Sequence, residues 1–188
     1  MKKYLLFLMV LSFFLSSGSA VAQIVEKSSD VSPYVGILKW DGGGSELMFG
    51  ARYNYNMSVN GSIEASVGLV FPEHGKIYLY HANYRYNLSL ENELLVPFFT
   101  GGVGAMTTSF DGIDGSTNLS INFGGGMQYF TSENLAIRID VRDHMVFVGD
   151  QSATTPNPIP GQPDITVTVD GGTSNNLEFS GGITYYFI

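Results

Sequence analysis

The sequence predicts an all-β protein, an eight-stranded antiparallel up-and-down transmembrane β-barrel with short periplasmic turns and longer outer loops. Three observations lead there. Past residue 22, apolar and polar residues alternate at period two, and turn-forming residues separate the runs. No apolar run in that region is long enough for a membrane helix; the longest, 94–99, has six residues and contains Pro97. The region is also rich in Tyr, Phe and Gly and poor in Lys, unlike an ordinary helical domain. The remaining way to cross a bilayer is a closed barrel, in which every backbone donor and acceptor is paired between strands.

The first 22 residues read as a cleaved export signal. Lys2 and Lys3 precede an apolar stretch over 4–15, and small residues follow to Ala20-Val21-Ala22, placing cleavage before Gln23. About a dozen apolar residues fall short of the ~20 that a spanning helix needs. Residues 23–32 are then a short extension, and 33–188 form one barrel domain. The chain has no cysteine, which excludes disulfides, thiolate metal sites, a cysteine nucleophile and a lipidated cysteine anchor. Losing Lys2 and Lys3 moves the net charge from −8 to −10, which argues against nucleic acid as a partner.

The elements follow in order. The first strand is 34–40, closed by Asp41-Gly42-Gly43-Gly44-Ser45, and the second, 47–57, puts Phe49, Ala51, Tyr53 and Tyr55 on one face. Asn60-Gly61 is a two-residue hairpin signal. The third strand sets Ile63, Ala65, Val67 and Leu69 against Ser62, Glu64 and Ser66. The fourth, 77–88, carries Tyr78, Tyr80, Ala82, Tyr84 and Tyr86 on one face. These tyrosines, with Tyr53, Tyr55 and Tyr185, are assigned to the two aromatic girdles of a barrel wall. The fifth, 95–107, is blurred by Gly101, Gly102 and Gly104, whereas the sixth alternates cleanly from Leu119 to Tyr129. The seventh turns Leu135, Ile137, Ile139 and Val141 outward, and the eighth, 176–187, does the same with Leu177, Phe179, Ile183, Tyr185 and Phe187. The connections 108–117 and 149–173 are the long outer loops; 165–169 is read as an extension of the eighth strand's hairpin above the membrane, with a register that enters the wall as the alternative.

Charge placement checks this register independently. The four arginines, Arg52, Arg85, Arg138 and Arg142, all fall on the interior face. Facing lipid would cost ~2–4 kcal/mol each at midplane, and four of four by chance is about one in sixteen on period-two geometry. Glu46, Glu64, Asp140 and Glu178 are interior acids that can pair with them. Since eight strands enclose a bore that side chains fill, the expectation is an interior charge network of Arg52, Glu64, Arg85, Arg138, Asp140, Arg142 and Glu178 that plugs the barrel. Asp143 is the exception, an acid on the lipid face that is tolerable near an interface or rescued by a β-bulge.

Pro33-Tyr34-Val35-Gly36, the stretch from Pro97-Phe98-Phe99 to Gly104, and Asn176-Leu177-Glu178-Phe179 through Tyr186-Phe187 resemble the small outer-membrane β-barrel superfamily typified by the OmpA transmembrane domain. The run from Leu135 to His144 resembles one proteobacterial group of such barrels. The resemblance implies an outer-membrane location in a Gram-negative bacterium, with membrane lipid and lipopolysaccharide around the wall. It implies that Tyr185 and Phe187 are the assembly signal read by the barrel-assembly machinery, although Ile188 follows the aromatic residue. The chain stops at the barrel, so the peptidoglycan tether of longer relatives is not expected.

Other chemistry has thinner support. A lipid-modifying barrel enzyme needs a His–Ser pair reaching the bilayer, whereas His74 lies in a turn and His81 and His144 face inward. Asp111-Gly112-Ile113-Asp114-Gly115 could ligate calcium, but Asp-Gly pairs are ordinary turn formers and the spacing is not an EF-hand. No metal and no cofactor is expected. The reading is a non-enzymatic structural or surface-interaction barrel, its loop 149–173 a possible ligand contact. A narrow channel for small polar or amphipathic solutes is the alternative, and a lipid-modifying enzyme the third. N-terminal sequencing of the exported protein should begin at Gln23; an intact Met1 would overturn the export reading.

Overall fold

The computed structural model describes residues 24–88, 94–110, 113–155 and 165–187. The expected signal peptide and the proline-rich tip of the last loop lie outside these residues, as do Asp111 and Gly112 of the calcium candidate.

Eight strands close a barrel: β1 (Ser29–Lys39), β2 (Ser45–Asn56), β3 (Gly61–Val70), β4 (Gly75–Asn87), β5 (Leu95–Phe110), β6 (Ile113–Ser132), β7 (Leu135–Val148) and β10 (Gly172–Phe187). Each pairs antiparallel with its neighbour, and β1 closes the ring against β10. Two short strands, β8 (Gln151–Thr155) and β9 (Ile165–Val169), form a separate ribbon between β7 and β10, so Ile165–Val169 stays out of the wall. We call the end with the β2–β3, β4–β5 and β6–β7 connections the turn end, and the opposite one the loop end.

Period two in the sequence becomes alternation across the wall, because successive side chains point to opposite faces. Along β4, Ile77, Leu79, His81, Asn83 and Arg85 are buried inside while Tyr80, Ala82, Tyr84 and Tyr86 are exposed outside. β7 alternates alike, with Ala136, Arg138, Asp140, Arg142, His144 and Val146 buried.

Four boundaries differ from expectation. β1 begins at Ser29, so part of the expected extension 23–32 enters the wall. Its sequence Ser29-Asp30-Val31-Ser32 has a single apolar outward residue, too little for a pattern to show. Ahead of it, Lys27 adopts a left-handed φ of 63° and donates its N–H to the Asn56 carbonyl at 2.7 Å, tucking Ile24 under the turn end. The segment 108–117 is not a loop: β5 and β6 continue as a hairpin with only residues 111–112 between them. Asn60-Gly61 is not the hairpin's central pair either. The turn spans 57–60, with Gly61 already in β3 and its N–H held by Ser58 Oγ at 2.9 Å. Last, β10 starts at Gly172 rather than 176. In the β1–β2 turn, Gly42, Gly43 and Gly44 all take φ near +90 to +103°, a region that side chains disfavour.

The bore has three layers. At the loop end Leu38, Met48, Val70, Ile77, Leu79, Met106 and Val146 form an apolar cluster with Tyr34. At the turn end Ile24, Phe130, Ala136 and Tyr186 form another. The charged layer lies between them. The sequence reading, which filled the bore with charge alone, missed both apolar layers.

Glycines on β5 and β6 make room for these contents. Gly124 and Gly126 pair with Arg142 and Asp140, and a methyl group at Gly126 would overlap the Ile139 carbonyl and the Phe98 ring. Gly101 faces outward, where an added methyl would come no nearer than 3.6 Å to the Asn122 carbonyl. Gly126→Ala should therefore lower the unfolding free energy by ~1–3 kcal/mol as overpacking, whereas Gly101→Ala should stay within ~0.5 kcal/mol. Urea unfolding of the folded barrel in detergent measures both.

Candidate functional site

The central layer gathers every arginine of the chain. Arg52 on β2, Arg85 on β4, and Arg138 and Arg142 on β7 are each at most 2% exposed. Four buried acids, each at most 3% exposed, face them: Asp30 on β1, Glu64 on β3, Asp140 on β7 and Glu178 on β10. Fixed charge in the layer therefore balances at four against four.

Glu64 and Asp140 are the hubs. Arg138 donates Nη2–H to Glu64 Oε2 at 2.8 Å and forks onto Asp140 through Nε at 2.8 Å and Nη2 at 2.9 Å. Arg142 donates to Glu64 Oε1 at 2.7 Å and to Asp140 Oδ1 at 2.8 Å. Such two-pronged pairs fit the guanidinium fork to the carboxylate plane. Arg52 bridges Glu178 and Asp140, the latter at 3.4 Å, and gives a third bond to Ser180 Oγ at 3.0 Å. Its guanidinium carbon sits 3.7 Å from the Tyr34 ring centre, and that of Arg138 lies 4.6 Å from the centre of Phe98, so both cations are also covered by an aromatic face.

Arg85 forms a smaller group towards the turn end, with Asp30 at 3.2 Å, Asn56 Oδ1 at 3.1 Å and Ser62 Oγ at 3.0 Å. Asp30 also accepts from Asn54 at 2.7 Å. The structure thus brings Arg52, Glu64, Arg138, Asp140, Arg142 and Glu178 into one network and gives Arg85 a partner that sequence reasoning missed. Glu46 is a correction: it is half-buried and makes no ion pair among the described residues, and Asp30 is the fourth acid instead. Asp30 could have been found by carrying the inward parity of Tyr34 back along the strand.

His81 and His144 join the loop-side edge of the layer, whereas His74 is exposed in the β3–β4 turn. His144 Nε2 lies 2.9 Å from Glu178 Oε2, and the His81 ring lies 5.0 Å from that of His144. His81 Nε2 meets Ser120 Oγ at 2.8 Å, a His–Ser pair that faces the bore and has no access to the wall. No group of three or more metal-ligating side chains occurs among the described residues.

The outer wall is the inverse of this interior. Tyr53, Tyr55, Tyr80, Tyr84, Tyr86 and Tyr185 are 42–51% exposed, and Tyr78 is half-buried. Tyr78 and Tyr80 stack at the loop end, with ring centres 6.3 Å apart. The remaining tyrosines fall at the turn end, where Tyr84 pairs with Ile63, Tyr55 with Ile63 and Tyr185 with Leu135. The eight-residue rise from Tyr78 to Tyr86, at ~3.4 Å per residue and a tilt of ~40°, separates the two belts by roughly 20 Å, close to the ~25 Å apolar band of a membrane barrel. Between the belts the wall exposes Val67, Val103, Ile139, Val141 and Phe179, a surface for lipid rather than water. Phe187 is 53% exposed and meets Tyr185 edge to face at 5.2 Å.

Asp143 stays on this outer face. Its register against Phe123 and Leu177 is unbroken and His144 remains inside, so no bulge rescues it. It sits near the loop end with Lys39 on the far side of Leu177, where an acid costs little.

Solved structures share this fold. The chain is similar to the N-terminal β-barrel domain of Pseudomonas aeruginosa OprF (TM-score 0.59, 12% identity, covering 86% of this chain and 98% of that one). It is also similar to Neisserial surface protein A (0.60, 12%, 85% and 96%) and to outer membrane protein OprG of Pseudomonas aeruginosa (0.59, 13%, 90% and 99%). The fold is that of the small outer-membrane β-barrels. At these identities the likeness is of architecture. No protein-family model and no curated protein matches the sequence.

Breaking a buried ion pair leaves a lone charge, worth about 3–5 kcal/mol. Arg138→Leu should therefore lower the heat-denaturation midpoint in detergent, because Glu64 and Asp140 each lose a partner. Arg85→Leu should destabilise similarly, and adding Asp30→Asn should recover most of that loss. An unchanged midpoint in Arg138→Leu, or no recovery in the double variant, would count against the network.

Proposed function

We propose that this protein is a non-enzymatic integral outer-membrane barrel of a Gram-negative bacterium, with a sealed bore and a structural or surface-interaction role carried by its loop end. The observation behind this reading is the cross-section of the bore. A solute would have to pass the layer around Leu38, Met48 and Leu79, then eight paired charges, then Phe130 and Tyr186, all of them buried. Opening the middle layer means separating ion pairs whose partners would be left alone in a low-dielectric bore.

The same proposal extends to the partners. Membrane lipid and lipopolysaccharide contact the girdled wall, and the barrel-assembly machinery reads Tyr185 and Phe187 during insertion. A surface ligand is met through loop 149–173, which includes the β8–β9 ribbon. Catalysis on lipid does not fit this arrangement. The His81–Ser120 pair is enclosed in the bore, whereas a lipid substrate reaches only the wall.

Planar-bilayer recording of the purified protein separates this reading from a narrow channel. The expected trace shows no steady open level at nanosiemens scale. A stable open level, abolished by heat unfolding, would assign the bore to solute passage instead.

A further inference from the structure

The loop end of the bore is hollowed into a cup of about 440 Å³ above the apolar cluster. Met106, Val146 and Ile77 make its floor, and the half-buried Trp40 forms one wall. Ser116 and Asn118 are polar groups of its part-exposed rim, and the buried Asn176 adds an amide deeper down, level with His144. None of the residues lining it carries a charge, although the protein as a whole has a net charge of −8.

Two features distinguish this cup from leftover space. Its volume and its mix of an apolar body with a few hydrogen-bonding groups are those of small-molecule sites, which span ~300–1,000 Å³. Its amides are also weakly engaged. Asn118 donates to Ser116 Oγ at 3.4 Å. Asn176 donates to the His144 carbonyl at 3.5 Å and accepts at 3.4 Å from Asp41 N–H and from Ser174 Oγ. Bonds of that length lie beyond the usual 2.7–3.2 Å range and are readily exchanged for a ligand's.

We propose that the cup binds an uncharged amphipathic small molecule, its apolar body on Met106 and Val146 and its single polar group on the amides of Asn118 and Asn176. An ionised ligand is disfavoured, because the cup offers no countercharge to offset the loss of hydration. Because Leu38, Met48 and Leu79 close the bore below, the molecule is held rather than passed. This rests on the sealed bore only for the word held: conductance tests the seal and binding tests the cup, so either can fail alone.

Trp40 is the chain's one tryptophan, so its fluorescence reports on the cup without labelling. The probe is N-phenyl-1-naphthylamine, an uncharged aromatic amine, titrated into the full barrel in lipid nanodiscs with energy transfer from Trp40 as the signal. The control probe is 8-anilinonaphthalene-1-sulfonate, the same ring system carrying a charge. Saturable transfer with the neutral probe is expected, at least tenfold tighter than with the sulfonate. Val146→Phe, which fills the floor, should weaken it at least tenfold. Asn118→Ala, on the part-exposed rim, should weaken it several-fold while leaving the heat-denaturation midpoint unchanged. Transfer that rises linearly as bilayer partition does, that is unchanged in both variants, or that is matched by the sulfonate would overturn the proposal.

Discussion

An eight-stranded wall encloses a bore that has room for side chains and little else, and everything inside this protein answers to that restriction. A charge placed there loses its hydration and must find it again in a neighbour. Four arginines therefore require four acids, and each of the four acids is ion-paired with at least one arginine. The space they occupy has to come from somewhere. On β6 it comes from Gly124 and Gly126, opposite Arg142 and Asp140, and around Tyr34 from Gly50 and Gly68. The glycine-rich strands and the arginine-rich strand are two sides of one packing problem.

The pairing also carries mechanical sense. Glu64 on β3 holds Arg138 and Arg142 on β7, and these strands stand opposite each other in the ring. Arg52 on β2 reaches Glu178 on β10, across the intervening β1. Backbone ladders join only adjacent strands, so these bridges add ties across the bore that hydrogen bonding along the wall cannot supply. Apolar caps above and below keep water from the ion pairs, which strengthens them where they are complete and makes a missing partner expensive.

The wall was legible in the sequence because a bilayer imposes a strict rule on one face of every strand. Where the rule lapses, legibility lapses with it. The ends of β5 and β6 reach past the aromatic belt, need no greasy outward face, and so read as a loop over 108–117 although they pair as a hairpin. Asp30 escaped notice because its neighbours Ser29 and Ser32 leave no apolar alternation to follow. Interior contents were legible only by face. That Arg52, Glu64, Arg138, Asp140, Arg142 and Glu178 point inward follows from parity. Which acid meets which arginine depends on register between strands far apart in sequence, as Glu46 and Asp30 illustrate. The apolar layers were missed for a related reason: Leu38, Met48, Leu79 and Phe130 come from four different strands and converge only once the ring is closed.

The two ends of the bore are not equivalent, and the difference bears on where function can reside. At the turn end the chain's own N-terminal segment brings Ile24 against Phe130 and Tyr186, so that mouth is filled by the protein itself. At the loop end the apolar cluster stops below the rim, and Trp40 and Val148 pack against it only half-buried. An apolar floor with hydrogen-bonding groups above it costs hydration unless something uncharged lies on it. Nothing in barrel closure requires that arrangement, since serine and threonine at the same inward positions would close the wall equally well. The charged layer explains how the barrel holds together, whereas the loop end is where its chemistry departs from what holding together needs.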